Sequence, residues 1–272
     1  MANRPELLEK QVEALSSLPT LPGVVHSVVR MVESEHTSTE QVGELISRDQ
    51  VLSAKILRMV NSPFYGFPGR ISSVSHALVL LGFNVVKGLV LTTTVFDTIA
   101  RETQGLWEHS LGTAVLSRRL ALQLDMPEPD EVMVAGLLHD IGKVVLSYLA
   151  PDDFQAALKV ARVKKCHVAV AEREVFGVDH TRVALWVARN WHLPERLSDA
   201  SACHHNLARA EHSRDTAAVV HLADILARGM GYGNPGDATV PELDHGAFKS
   251  LGLSFDDIET AVLEGEADDV AR

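Results

Sequence analysis

The stretch Gly136–Leu146, GLLHDIGKVVL, decides how this sequence is interpreted, because it places titratable side chains inside an apolar run. His139, Asp140 and Lys143 lie among residues that are otherwise typical of a protein core. Burying a charge costs several kcal/mol unless the charge is paired or bound to a metal. The stretch therefore predicts either partner side chains from elsewhere in the chain or a bound group at this point.

Outside this stretch, the pattern of apolar residues is helical along nearly the whole chain. Apolar residues recur at intervals of three and four, and the alternation typical of half-buried strands is scarce. Ser38 is followed three residues later by Gln41, which is the pattern of a capping box at a helix start. Gly82 separates two apolar helical segments and predicts a turn between them. The predicted fold class is all-α.

The order of the segments predicts three regions. Residues 1–100 form an amino-terminal helical subdomain, residues 101–232 form a second helical subdomain that contains the central stretch, and residues 233–272 form an acidic loop and helix. No Gly/Ser-rich linker separates the first two regions. We therefore expect them to unfold as one cooperative unit.

Composition and charge exclude several classes of protein. The chain has 272 residues, of which 46% are hydrophobic and 22% charged, as in an ordinary globular protein. Its longest apolar region is interrupted by Asn84 and Lys87, which favours buried helices over a membrane span. The first residues lack the apolar run of a signal peptide, and two cysteines imply no disulfide framework, so a cytoplasmic location is expected. A net charge of −11 makes nucleic-acid binding an unfavoured function.

Seven histidines and aspartates occupy positions that indicate a metal site. They lie on or beside five predicted helices, and helices in a bundle can direct such side chains at a common centre. The candidate ligands are His109, His139, Asp140, His180, His204, His205 and Asp224. Imidazole with carboxylate suits Fe, Mn, Ni or Zn. Seven ligands exceed the needs of one ion and match two ions about 3.5–4 Å apart that share a carboxylate.

The other histidines are interpreted as structural or solvated side chains. They are His26, His36, His76, His167, His192, His212, His221 and His245. His221 precedes Asp224 by three residues on one helical face, so it is a candidate for a position behind the ligands. Cys203 is expected to be a small buried hydrophobe. Lys143 could be a solvated charge at a helix end. Because it follows HDIG, the preferred interpretation is a cation that contacts a phosphate.

Two sets of motifs carry a family resemblance. LLHDIGK, with a histidine upstream and HLAD downstream, resembles the HD superfamily of metal-dependent phosphohydrolases. LSSLPTLPGVV, ISRDQVLSAKILRMVNSPFYG and ISSVSHALVLLGFNVVKGLVL resemble the HDOD domain, a bacterial relative of that superfamily. The resemblance runs from about residue 15 to about residue 228. It implies a multi-helix HD-type bundle with an additional amino-terminal helical subdomain.

The resemblance also implies a division of the ligands between two ions. By similarity, His109, His139, Asp140 and Asp224 hold one ion, and His180, His204 and His205 hold the second, with Asp140 as the bridge. The related HD-GYP proteins carry a Gly-Tyr-Pro signature after the His–His pair, and that signature is tied to cyclic di-GMP hydrolysis. Here NLARAEHS follows the pair and the later GYGNP is displaced, which argues against that activity.

Three functions remain open at this point. The first, which the family resemblance favours, is a bacterial signal-transduction or regulatory protein that binds a signalling partner and has a metal-capable pocket. The second is a metal-dependent phosphohydrolase acting on a nucleotide-type substrate, with Asp140 and Lys143 as its catalytic residues. The third is a sensor that binds a nucleotide or phosphate without turnover. The alternative to metal binding is that these histidines and aspartates form an inherited pocket that is kept only as a polar structural core.

Overall fold

The computed structural model describes residues 3–15, 27–28, 31, 37–61, 71–99, 105–260 and 262. The regular secondary structure within these ranges is helical, which confirms the all-α prediction. The motif LPTLP and all but the first residue of NSPFYG lie outside the described residues.

The chain divides into two compact units. One is Ser16–Thr98, and the other combines Met1–Leu15 with Ile99–Arg272. The helix Arg4–Ala14, named α1, therefore belongs with the later helices. It begins with a capping box in which Asn3 accepts from the backbone N–H of Glu6 and Glu6 accepts from that of Asn3. The expected division at residues 100 and 232 stays a prediction about domains.

The unit Ser16–Thr98 contains helices α2, Thr39–Ser47, α3, Gln50–Val60, and α4, Val74–Ile99. The capping box predicted at the start of α2 is confirmed, because Ser38 Oγ accepts from the N–H of Gln41 and Gln41 Oε1 accepts from that of Ser38. Helix α4 is interrupted where a turn was predicted. Gly82 has φ 81° and ψ 169°, outside the helical region and accessible mainly to glycine.

The other unit contains α1 and a series of helices that follow one another with short connections. These are α5, Leu106–Gln123; α6, Pro129–Leu138; α7, Ile141–Leu149; α8, Pro151–Lys164; α9, Val168–Phe176; α10, His180–Asn190; α11, Glu195–Cys203; α12, Arg214–Gly229; and α13, His245–Ser250. A 3₁₀ turn, Leu207–Arg209, follows α11.

Helix packing in this unit brings five chain segments around one centre. Helix α5 packs on α6 and α12, while α11 packs on α6, α10 and α12. Helix α10 also packs on α7 and on α1. The contact of α5 with α12 buries Leu116, Leu120, Val219 and Leu222. Each such side chain contributes about 1.5–3 kcal/mol when it is fully buried, so the centre is surrounded by a firmly packed apolar shell.

One stretch among the described residues, Pro129–Leu149, is long and apolar enough to cross a membrane by length and composition. Within it, 89% of the most apolar window is buried inside the protein. The helical pattern is also broken between α6 and α7, at His139 and Asp140. We therefore interpret this stretch as part of the protein core.

Candidate metal centre

The seven predicted ligands come from the ends of helices and from two helix interiors. His139 ends α6 and Asp140 precedes α7, so the HD pair lies at the corner between two helices. His180 is the first residue of α10, and the pair His204–His205 directly follows α11. The remaining two, His109 and Asp224, project from within α5 and α12.

The structure brings all seven side chains together. Their ligand atoms form three groups in which the atoms lie within 4.8 Å of one another. The groups are His109, His139 and Asp224; His139, Asp140 and His204; and His180, His204 and His205. Since His139 and His204 each belong to two groups, the three groups form one continuous cluster that could bind metal.

Asp140 lies between the two predicted sets of ligands. Its Oδ2 is 3.2 Å from His139 Nε2 and 3.7 Å from His109 Nε2. Its Oδ1 is 3.4 Å from His180 Nε2 and 3.8 Å from His204 Nε2. One carboxylate oxygen therefore faces each set, which is the arrangement that a bridging carboxylate requires.

Three histidines are oriented by hydrogen bonds from the ring nitrogen that points away from the centre. The Nδ1–H of His139 donates to the Gly136 carbonyl at 2.7 Å, and that of His204 donates to the Ala200 carbonyl at 3.1 Å. These assignments of the ring proton follow from the acceptors. In each case Nε2 faces the cluster, as a metal ligand must.

The third histidine is held by a buried carboxylate that the sequence reasoning missed. Glu172, in α9, accepts from the Nδ1–H of His180 at 2.6 Å and from its backbone N–H at 2.8 Å. Both side chains are fully buried. A carboxylate behind a ligating histidine fixes the ring and increases its basicity. The spacing of eight residues did not reveal this pair, because the contact depends on the turn between α9 and α10.

The inner atoms of the cluster lack hydrogen-bond partners although they are buried. They are both ring nitrogens of His109; Nε2 of His139, His180, His204 and His205; Oδ1 of Asp140; and Oδ2 of Asp224. His109 Nε2 lies 3.0 Å from Asp224 Oδ1, outside hydrogen-bond geometry. Folded proteins leave few buried polar atoms unpaired. So many at one point fit a bound cation, and the mixture of imidazole and carboxylate fits a transition metal.

The protonation states that the cluster favours are mostly those of metal ligands. Burial lowers the pKa of His204 and of His205 well below the usual value. Burial alone would raise the pKa of Asp140, but the charges of His139 and Lys143 hold it well below its usual range. His139 is the exception: burial lowers its pKa, yet the Asp140 carboxylate outweighs this and raises it. A metal would displace that proton.

Lys143 lies where the sequence placed it, beside the cluster, but its ammonium is already engaged. Its Nζ donates to Asp140 Oδ2 at 2.7 Å and to the Pro235 carbonyl at 3.0 Å. Its side chain is 1% exposed, so it is no solvated helix-end charge. Its contact with a phosphate stays a prediction.

Several outer residues complete the site. Arg228 Nε donates to Asp224 Oδ1 at 2.8 Å, a contact that the spacing of four residues on one helix could have suggested. His221 lies next to His204, since its Nδ1–H donates to the His204 carbonyl at 2.7 Å and its Nε2 accepts from the N–H of Asp244. Its role behind a metal ligand stays a prediction. Cys203 is buried, as expected, and burial raises its pKa to about 11.

His167 was interpreted as structural or solvated, and the structure places it next to the cluster. Its ring centroid is 4.5 Å from that of His205. Its Nδ1 accepts from the N–H of Ala169 at the start of α9, while its Nε2 is buried without a partner. Burial, with the nearby charges of Lys143 and Arg228, lowers its pKa to about 4. His167 is therefore neutral near pH 7 and forms part of the wall on the His205 side.

Known proteins agree with this architecture. A crystal structure of an HDOD domain protein of unknown function from Geobacter sulfurreducens is similar with 26% identity and a TM-score of 0.73, and the match covers 97% of this chain and 94% of that one. A Shewanella amazonensis SB2B protein, provisionally named a phosphohydrolase, shares the fold with 23% identity and a TM-score of 0.64 over 82% of this chain and 81% of that one.

The curated relatives are longer proteins. An uncharacterized protein of Treponema pallidum (strain Nichols) is 24% identical over 225 residues, which is 79% of this chain but only 43% of the relative. The match to the uncharacterized protein YuxH of Bacillus subtilis (strain 168) covers 35% of that relative. The chain thus spans less than half the length of these curated relatives. The HDOD domain family matches residues 18–207 of this chain, which is most of its length. The chain therefore belongs to the HDOD family.

Proposed function

We propose that this HDOD protein is a regulatory protein of bacterial signal transduction whose buried His/Asp cluster binds one or two divalent transition-metal ions, Fe, Mn, Ni or Zn. It acts through contacts with a signalling partner protein in the cytoplasm. The observation that carries the metal site is the position of Asp140, with Oδ2 3.2 Å from His139 Nε2 and Oδ1 3.4 Å from His180 Nε2. The two free cysteines, Cys166 and Cys203, support a reducing compartment.

The seven ligand residues divide between two ions in this proposal. His109, His139 and Asp224 hold the first ion together with Asp140, and the second ion is held by His180, His204 and His205 with the same aspartate. When bound, the ions neutralise the buried carboxylates and act as Lewis acids toward any oxygen ligand. Glu172 and His221 keep the ligands oriented from behind, since they bind His180 and the His204 carbonyl respectively.

Burial favours regulation over turnover. Hydrolysis at such a site needs an open coordination position that a substrate can reach. Six of the seven ligand residues have no exposed surface, and only His205 is partly exposed. Lys143, the cation that would meet a phosphoryl oxygen, is held by Asp140 and Pro235. A centre with so little exposed surface is suited to a structural or sensory ion.

The second candidate function is a metal-dependent phosphohydrolase with a nucleotide-type substrate. The observation in its favour is the complete set of seven ligands with Lys143 at its edge, because a site that served only for stability would need fewer groups. In this case Asp140 would hold the ions, which would supply Lewis-acid activation of a water, and Lys143 would stabilise charge on a phosphoryl oxygen.

One experiment separates these functions. The native protein and Asp140→Ala are loaded with Mn²⁺ or Fe²⁺ and tested against mono- and dinucleotides, cyclic di-GMP and a generic aryl phosphodiester. We expect metal in the native protein and no cleavage above the level of Asp140→Ala. Robust cleavage that disappears in Asp140→Ala would make the protein an enzyme. Nucleotide binding without cleavage, weakened in Lys143→Ala, would identify a sensor.

A further inference from the structure

The segment that follows α12 contacts residues that lie beside the His/Asp cluster. Residues 231–239, here called the strap, contain three glycines with positive φ and no regular secondary structure. At Gly233 the strap closely approaches the start of α5. A Cβ added at Gly233 would lie 2.1 Å from the Gly105 carbonyl oxygen and 2.4 Å from the backbone nitrogen of His109. The next residue, Asn234, donates its N–H to the same carbonyl at 2.8 Å. The strap is therefore fitted against the helix turn that carries His109.

The strap is also linked to Asp140. The buried Pro235 carbonyl accepts from Lys143 Nζ at 3.0 Å, and the same ammonium donates to Asp140 Oδ2 at 2.7 Å. A single cation thus joins the strap backbone to the proposed bridging ligand. The Pro235 carbonyl occupies an N–H of the Lys143 ammonium that would otherwise be available to a phosphate oxygen.

A second cation joins the strap to Asp224. Arg228 Nε donates to Asp224 Oδ1 at 2.8 Å, while its Nη1 contacts the Thr239 carbonyl at 3.0 Å and Asp237 Oδ1 at 3.4 Å. The side chains of Arg228 and Asp237 are 3% and 2% exposed. Charged groups at this depth interact more strongly than surface pairs.

Asp237 closes the contact between the strap and α9. Its Oδ2 accepts from the N–H of Val168 at 2.9 Å, and its Oδ1 accepts from the N–H of Thr239 at 2.7 Å. With the Arg228 contact, one buried carboxylate connects three parts of the chain: the strap itself, α9 and α12. Asp237 thus joins the strap to two helices through polar contacts, which makes it the place where the strap can be released.

We propose that the strap is a gate over the metal cluster, latched by Asp237, and that metal enters and leaves when this latch opens. The proposal rests on the proposed metal site and adds its control. Six of the ligand residues have no exposed surface, and the Nε2 of His205 is also buried, so an ion needs part of the wall to move aside. The strap is an irregular segment, anchored at Tyr232 on the apolar cluster of α5 and α12 and held beyond it by polar contacts, whereas the other walls are helices.

The test uses the full chain and two readouts. Asp237→Asn removes the charge of the latch but keeps the size of the side chain, and Asp256→Asn makes the same change at an exposed residue. Amide hydrogen exchange of residues 231–239 reports opening without any metal. The rate at which EDTA removes Mn²⁺ or Zn²⁺ from loaded protein reports gating. Loss of a charged hydrogen bond favours opening by about tenfold, so both rates rise by about that factor in Asp237→Asn and stay unchanged in Asp256→Asn.

Faster amide exchange with unchanged metal release overturns the gate, and unchanged rates in both readouts overturn the latch as well. If native protein binds no metal under any condition, the proposed metal site fails and the gate fails with it, while faster amide exchange would still establish the latch. Should Asp237→Asn not fold, Asp237→Ser replaces it, because the serine hydroxyl can still accept from the N–H of Thr239, while the contact with Arg228 is lost.

Discussion

Lys143 Nζ lies 2.7 Å from Oδ2 of Asp140, and both side chains are buried, with exposures of 1% and 0%. This ion pair gives the carboxylate one partner, but its Oδ1 has none. The pair thus leaves one oxygen of Asp140 facing His180 and His204. The unpartnered Oδ1 of this buried HD dipeptide supports the proposal that a further cation binds here.

Replacing Lys143 by methionine tests how far the ion pair stabilises the fold. Removing one partner of a buried pair costs about 3–5 kcal/mol, because the other charge stays buried. We expect such a loss in the free energy of unfolding when metal is removed with a chelator, and a smaller loss with metal, since an ion neutralises Asp140. Denaturant unfolding with and without chelator measures both values.

Lys164→Met is the matched control for this change. Its partner is Glu174, and the two side chains are 54% and 50% exposed, so the expected loss is below about 1 kcal/mol. Equal losses for the two lysines would mean that the Lys143 pair has no special role.

Glu172→Gln tests the carboxylate behind His180. The glutamine keeps the shape of the side chain but weakens the bond to the Nδ1–H of His180, which now measures 2.6 Å. Changes behind a metal ligand typically reduce metal affinity by about 10–100-fold, and we expect a loss in this range for one ion. Metal competition titrations measure it. Glu174→Gln, on the exposed face of α9, serves as control, and an equal affinity in both variants would contradict the assigned role.

Gly142→Ala tests the close approach of α7 to α10. A Cβ at Gly142 would lie 1.9 Å from the His180 carbonyl oxygen, which is backbone and cannot move alone. Overpacking of this kind costs about 1–3 kcal/mol or more, so we expect a lower midpoint of unfolding. At Gly229, in contrast, a Cβ meets nothing within 4 Å, and Gly229→Ala is expected to be neutral or slightly stabilising. An unchanged midpoint of unfolding in Gly142→Ala would contradict the close approach of α7 to α10.

Much of the candidate site could be predicted from the sequence, because most of its predicted ligands stand in short motifs at helix ends. His139 and Asp140 interrupt an apolar run, and His204–His205 is a rare pair, so each is visible without a structure. The break at Gly82 was equally visible, since glycine separates two helical patterns. These features depend on local sequence alone.

The residues that sequence reasoning missed act through contacts between distant segments. Pro235 reaches Lys143 across 92 positions, and Asp237 reaches the N–H of Val168 across 69. The displaced GYGNP motif was excluded as a signature, and nothing in its letters indicated that it begins a strap beside the cluster. His167 was interpreted as structural or solvated for the same reason, since its contact with His205 joins two segments that are distant in sequence.

The most direct test of the account is the metal content of the native protein and of Asp140→Ala. Both are purified without chelator and then reconstituted with Mn²⁺, Fe²⁺ or Zn²⁺, and bound metal is measured by elemental analysis, with Asp256→Ala as control. We predict one or two tightly bound ions per chain in the native protein and the control, and a large loss in Asp140→Ala, because that carboxylate faces both ligand sets. Native protein that takes up no metal on reconstitution, or Asp140→Ala that keeps the full complement, would contradict the account.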